Sequence, residues 1–309
     1  MQRSTILTWH LPAACLTLLL TLTDSQSLIA QSTSGHTTSV RQPDQSLPLW
    51  PALAPGESTR EPGMALPTRP ADSPPITRIE KITQPTLDVF LAKRPTGTAV
   101  LILPGGGFRY VVPDLEGSEA AAWLNELGIS AFVLRYRTAD SGDQRWQRPL
   151  QDSQRAMRLL RARAEEWKID PQKLGLLGFS AGGQVAAIHL TATSAAYPEA
   201  DAVDALPFRP DFSLLIYPWQ IYDQTQQQLI SPIELTAEAP PAFVVHTHDD
   251  ASSSLGAVFY YIGLKQLGIP AELHVYQSGG HGYGVRPRPN SMIGTWKDRA
   301  SEWLRINQF

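Results

Sequence analysis

Between Lys173 and Thr193 the chain reads KLGLLGFSAGGQVAAIHLTAT: a short apolar run, a corner at Gly178-Phe179-Ser180-Ala181-Gly182, then a stretch that reads as a helix. A bounded apolar run of this length marks a strand covered on both faces, and the stretch beyond it has the length and composition of a helix. Turning straight from one into the other brings backbone against backbone, so the positions around the corner must be small. Gly178, Ala181, Gly182 and Gly183 meet that demand. A strained strand–turn–helix corner with serine at its apex is a nucleophile-elbow pattern. A tight turn with a helix-capping serine would explain the same glycines, so the rest of the chain has to decide.

From Ile76 onward, short apolar runs alternate with longer amphipathic stretches. Strands are expected at 79–90, 99–103, 130–135, 173–177, 212–217, 243–246 and 272–276, and helices at 118–127, 150–167, 181–193, 254–267 and 292–306. Strand and helix alternating to the end argue for an α/β fold with a mostly parallel central sheet and helices on both faces. Reactive groups then belong at the C-terminal ends of the strands.

The part before Ile76 has a different texture. Arg3 is followed by an uncharged stretch from Ser4 to Thr23 containing ACLTLLLTL, so residues 1–30 are expected to be a signal peptide, with an uncleaved anchor as the alternative. That implies a secreted or periplasmic protein. Residues 31–75, with nine prolines between Pro43 and Pro75 and no sustained period, are expected to be a proline-rich leader or linker. Around Leu49 and Trp50 the leader could instead lie on the domain surface. Residues 76–309 would be the catalytic domain. The sole cysteine, Cys15, lies in the signal region, so neither a catalytic thiol nor a thiolate metal site is available afterwards. A net charge of −3 without long Lys/Arg runs offers no footprint for nucleic acid or an anionic membrane. No cofactor is called for.

A serine hydroxyl needs a base, and the base needs a carboxylate to fix its tautomer. Among the five histidines after Ser180, His189 sits in the following helix and His246 and His274 in strands. His281 differs, because SGGHGYG hangs it in a glycine-rich loop beyond a strand. The acid should end the preceding strand, where HTHDD offers Asp249 and Asp250; Asp250 is favoured, with Asp249 as a turn residue. His246, His248 and an adjacent aspartate could alternatively ligate a metal, but no further cluster supplies the remaining ligands. The run LILPGGG ends a strand in Gly105, Gly106 and Gly107, whose amides could stabilise an oxyanion together with that of Ala181. Its spacing does not suit a phosphate loop.

Taken together, PGGGF, DLEGSEAAAWLNELGISAFVLRYR, LGLLGFSAGGQVA, HTHDD and PAELHVYQSGGHGYG resemble the α/β-hydrolase superfamily over about residues 49–309. More narrowly they resemble secreted bacterial acetylxylan esterases and feruloyl-esterase-like (BD-FAE-type) serine esterases. The resemblance implies Ser180 as nucleophile, His281 as base, Asp250 as acid, and Gly106, Gly107 and Ala181 around the oxyanion. Two departures stand out: Pro104 where many relatives carry histidine, and DDASSS after the acid. Between Trp219 and Ala242 only about twenty residues are available as a cap, too short and too polar for a lipase lid; this minimal cap suits a small acyl group on a bulky polar alcohol, acetyl or feruloyl on a polysaccharide such as xylan. Trp219, Tyr222 and Tyr283 could stack on a sugar or ring, or simply pack. Arg135, Arg137 and Glu116 could line the mouth. Rival readings are a prolyl-oligopeptidase-like peptidase, a non-catalytic carbohydrate-binding protein on the same fold, and a metal-dependent deacetylase. The oligomeric state is left open.

Overall fold

The computed structural model describes residues 41–309 except 140, 141 and 143; the expected signal peptide or anchor lies outside the described residues. Eight strands form one sheet: β1 Gln45–Pro48, β2 Thr86–Phe90, β3 Ala99–Leu103, β4 Ser130–Arg135, β5 Leu174–Phe179, β6 Phe212–Ile216, β7 Ala242–Thr247 and β8 Ala271–Tyr276. Their order is β1-β2-β4-β3-β5-β6-β7-β8. Only β2 runs against the others, pairing antiparallel with β1 and β4. The remaining pairings are parallel.

The apolar runs are continuous because both faces are covered. On β3, Leu101 and Leu103 point into one core and Val100 and Ile102 into the other. The first core takes helices α2 (Gln147–Ala162), α3 (Ser180–Thr191) and α4 (Leu255–Gln266); the second takes α1 (Glu119–Glu126) and α5 (Trp296–Ile306). Among the described residues, no helix is long and apolar enough to cross a membrane.

Three expectations need correction. The expected leader at 31–75 is, from its described part onward, built into the fold. β1 pairs with the sheet edge, and Leu49, Trp50 and Ala54 are buried in the first core. Trp50 Nε1 donates to Asp152 Oδ1 at 2.8 Å, and Arg137 Nη1 donates to the Pro55 carbonyl at 2.6 Å. Prolines and a four-residue strand carry no periodicity, so these tertiary contacts left no pattern to read. The single strand expected over 79–90 is two. Ile79–Ile82 joins a small sheet with Pro62–Ala65 and Tyr110–Val111, and Pro85, which has no N–H to give a ladder, precedes β2. The helix expected over 150–167 starts earlier, at Gln147, and ends at Ala162, with a one-turn helix at Ala164–Trp167 beyond it.

Candidate active site

The corner after β5 has the predicted strain. Phe179 is extended, Ser180 has φ +51°, and α3 begins at Ser180. Side chains at the neighbouring glycines would not fit: a Cβ on Gly182 would lie 2.1 Å from the Leu103 carbonyl oxygen, and one on Gly178 would lie 2.6 Å from that of Gly182. The register sets Gly178 opposite Leu103, so the end of β3 and the elbow arrive at the same level.

Loops from three other strand ends converge there. Ser180 Oγ lies 2.7 Å from His281 Nε2, and His281 Nδ1 lies 2.6 Å from Asp250 Oδ2. The Asp250 side chain is inaccessible, whereas that of His281 is 34% exposed. Asp250 accepts from the Ser252 amide at 2.7 Å, which leaves Oδ2 for the imidazole. Because a carboxylate only accepts, His281 carries its proton on Nδ1 and presents an unprotonated Nε2 to the serine hydroxyl.

Asp249 does something else. Its two oxygens accept the amides of Gly280, at 2.9 Å, and Gly279, at 3.1 Å, and these bonds hold its carboxyl below the usual range. Asp249 thus clamps the loop that carries His281, and Thr247 Oγ1 adds a bond to the Gly280 carbonyl at 2.8 Å.

On the opposite side, the loop after β3 packs so closely that a Cβ on Gly105 would lie 2.7 Å from Ser180 Cβ. Gly106 and Gly107 have φ of +136° and +62° and line the same cleft as Ser180 and His281. Neither amide donates to a described protein atom. The Ala181 amide, in the first turn of α3, has no carbonyl four residues back within its helix. Three N–H donors are therefore available around the serine, at the positive end of a helix.

What fixes this loop is Glu116, on a π-helical turn at Asp114–Ser118. It is buried, and its oxygens accept the Gly105 amide and the Tyr217 hydroxyl, each at 2.7 Å. Burial pushes its carboxyl above the usual range, against the pull of those two hydrogen bonds. Tyr217 also accepts the Gly284 amide at 2.8 Å and sets its ring edge-on to His281 at 5.0 Å. The Tyr136 hydroxyl donates to the Pro104 carbonyl at 2.6 Å. Glu116 and Tyr217 thus connect the glycine loop to the histidine loop.

Glu116, expected at the mouth, is consequently buried at the floor of the cleft. Arg137 is fully buried against Asp152, and Arg135 pairs with Asp88 at 2.6 Å. Tyr283, considered as a substrate contact, is also excluded from the cleft: it is 1% exposed and packs edge-on against Tyr217 at 4.3 Å. Trp219 does line the cleft, next to Phe108 at 6.1 Å. Tyr217 escaped sequence reading because it looked like the last apolar residue of a strand; its place at a sheet C-terminal end before Pro218 was the available signal. His246 is buried, with Nδ1 accepting the Thr247 amide at 3.0 Å, and His248 is exposed. Among the described residues, no three His, Cys, Asp or Glu side chains gather as a cation site.

The arrangement can deprotonate a serine hydroxyl, store the proton on an oriented imidazole, and hold negative charge on an oxygen beside the serine. Comparison with known proteins agrees with the fold. Residues 87–206 match the BD-FAE family. The chain is 29% identical over 231 residues to an acetylxylan esterase of Xylanibacter ruminicola, covering 67% of this chain and 44% of that protein. It is 30% identical over 209 residues to endo-1,4-beta-xylanase B of Butyrivibrio fibrisolvens, covering 60% of this chain and 32% of the other. The chain thus spans less than half the length of these curated relatives. An acetyl ester-xyloside bifunctional hydrolase from Caldicellulosiruptor lactoaceticus superposes with a TM-score of 0.67 at 26% identity, covering 88% of this chain and 99% of that one. With its single antiparallel strand, its serine elbow and these likenesses, the chain has the α/β-hydrolase fold, and its segment 87–206 is similar to the BD-FAE family.

Proposed function

We propose that the protein is a serine carboxylesterase that removes small acyl groups, acetyl foremost and feruloyl as the alternative, from a xylan-type carbohydrate. The observation that carries the reading is the 2.7 Å contact between Ser180 Oγ and His281 Nε2 in an open cleft. In the reaction, Ser180 Oγ attacks the ester carbonyl as His281 takes its proton. Amides of Gly106, Gly107 and Ala181 receive the oxyanion, and Asp250 stabilises the imidazolium. The proton passes to the departing alcohol, leaving an acyl-serine. Water, deprotonated by His281, then releases the acid. The segment between Trp219 and Ala242 forms only a short hairpin, Tyr222–Asp223 with Gln228–Leu229, so nothing there encloses a long acyl chain. The acetylxylan esterase and acetyl ester-xyloside hydrolase among the similar proteins support the substrate class. The apolar amino-terminal stretch supports export to the periplasm or medium, testable by fractionation and amino-terminal sequencing.

Replacing Ser180 with Ala tests the chemistry. Turnover of p-nitrophenyl acetate and of acetylated xylan is expected to fall by a factor of order 10⁴ or more, with an unchanged circular dichroism spectrum. A folded variant that retained activity would reject the mechanism.

A further inference from the structure

The chain as a whole carries a net charge of −3, yet the cleft above Ser180, about 490 Å³ in volume, is lined by Arg69, Arg78, Arg109 and Arg145. Of these, Arg78 is neutralised by Asp72 at 2.6 Å. The other three have no carboxylate within 4.0 Å among the described residues. Arg69 and Arg109 are exposed and make no described side-chain hydrogen bond. Arg145 is held in place: Nη1 donates to the Gly107 carbonyl at 3.1 Å, and the guanidinium lies 5.6 Å from the Phe108 ring and 6.0 Å from that of Trp219. Its remaining N–H groups have no described protein acceptor. Among the described residues, the one carboxyl lining the cleft is Glu116, which is buried, engaged by two donors, and pushed by burial above the usual carboxylate range.

A neutral saccharide can use guanidinium N–H donors but gains nothing from their net charge, whereas the described lining of this cleft gathers several of them. Guanidinium forks match planar carboxylates in two-point contacts, and a positive mouth raises the local concentration of an anionic ligand. Arg145 is one hydrogen bond from the loop whose amides flank Ser180, so an anion bound there sits beside the ester. Resting on the esterase reading above, we propose that the natural substrate carries a carboxylate close to the scissile ester, on its sugar half, and that Arg69, Arg109 and Arg145 recognise it. The favoured substrate is thus an acylated saccharide that bears a uronic acid.

The test compares kcat/KM on four esters. The first is an acetylated xylo-oligosaccharide with a glucuronic acid branch, and the second is the same compound after reduction of its carboxyl to the alcohol. The others are p-nitrophenyl acetate and the mono-p-nitrophenyl ester of succinic acid. The acidic oligosaccharide should exceed its reduced form by about tenfold at low salt, with most of that preference screened at about 0.5 M NaCl. In Arg109→Gln and Arg69→Gln, which remove exposed side chains, the ratio of acidic to reduced substrate should fall severalfold. Preference for the succinate ester alone would overturn the assignment to the sugar half and move the carboxylate to the acyl half. Equal rates throughout would overturn the proposal while leaving the esterase reading intact. If no ester is cleaved, that reading fails by itself. Calorimetric binding of the deacetylated acidic oligosaccharide and its reduced form to Ser180→Ala still decides the charge question: equal or absent binding overturns it.

Discussion

At the scale of single residues, two adjacent aspartates of the same charge have separate tasks. Asp250 reaches the imidazole and Asp249 clamps the loop that bears it. Asp250→Asn can offer an amide N–H to Nδ1, which favours the wrong imidazole tautomer, so kcat should drop by roughly three to four orders of magnitude. Asp249→Asn keeps one acceptor oxygen for two amides, and a loss of about tenfold or less is expected, with a lower melting temperature. Measuring both variants on p-nitrophenyl acetate checks the division; equal losses would contradict it. The pair was only half legible in the sequence. HTHDD marked the strand end, but which carboxylate turned toward His281 depended on a backbone turn that residue types do not encode.

Among elements, the proline-rich segment has a larger role than its composition suggests. β1 extends the sheet, and Trp50 fills the first core while hydrogen-bonding to Asp152, which also binds Arg137. Trp50→Ala should cost about 3–5 kcal/mol, from the cavity left behind and the donor withdrawn from a buried carboxylate. Urea unfolding checks this, and a loss below about 1 kcal/mol would mean that the segment rests on the surface only. The elbow shows the opposite case. Its glycines were readable because a strand-to-helix corner leaves no volume for side chains, as the near contacts at Gly178 and Gly182 show.

For the whole molecule, a buried histidine couples stability to pH. His189 lies near the C-terminal end of α3, packed against α2. Its Nδ1 is 2.7 Å from Ser153 Oγ, and its Nε2 is 2.8 Å from the Phe208 carbonyl. Burial pushes it down to about 4 from an ordinary 6.5. The unfolded chain therefore binds a proton that the folded chain refuses. The stability tied to neutral His189 is complete above about pH 6.5 and disappears as pH falls toward 4, by an amount of order 3 kcal/mol. Unfolding free energies measured between pH 7 and 4.5 should fall with pH in the wild type and less steeply in His189→Gln; parallel curves would refute this. The sequence by itself determined the α/β class, the elbow and the histidine loop, because alternating burial, glycine-dependent corners and a histidine in a glycine-rich loop follow from local physics. Only the tertiary structure decided that Glu116 and Tyr217 join the two active loops, that Tyr283 packs instead of binding, and that arginines from distant segments share one cleft. Those outcomes rest on contacts between residues far apart in the chain, where side-chain direction and burial are fixed by the packing of the whole sheet.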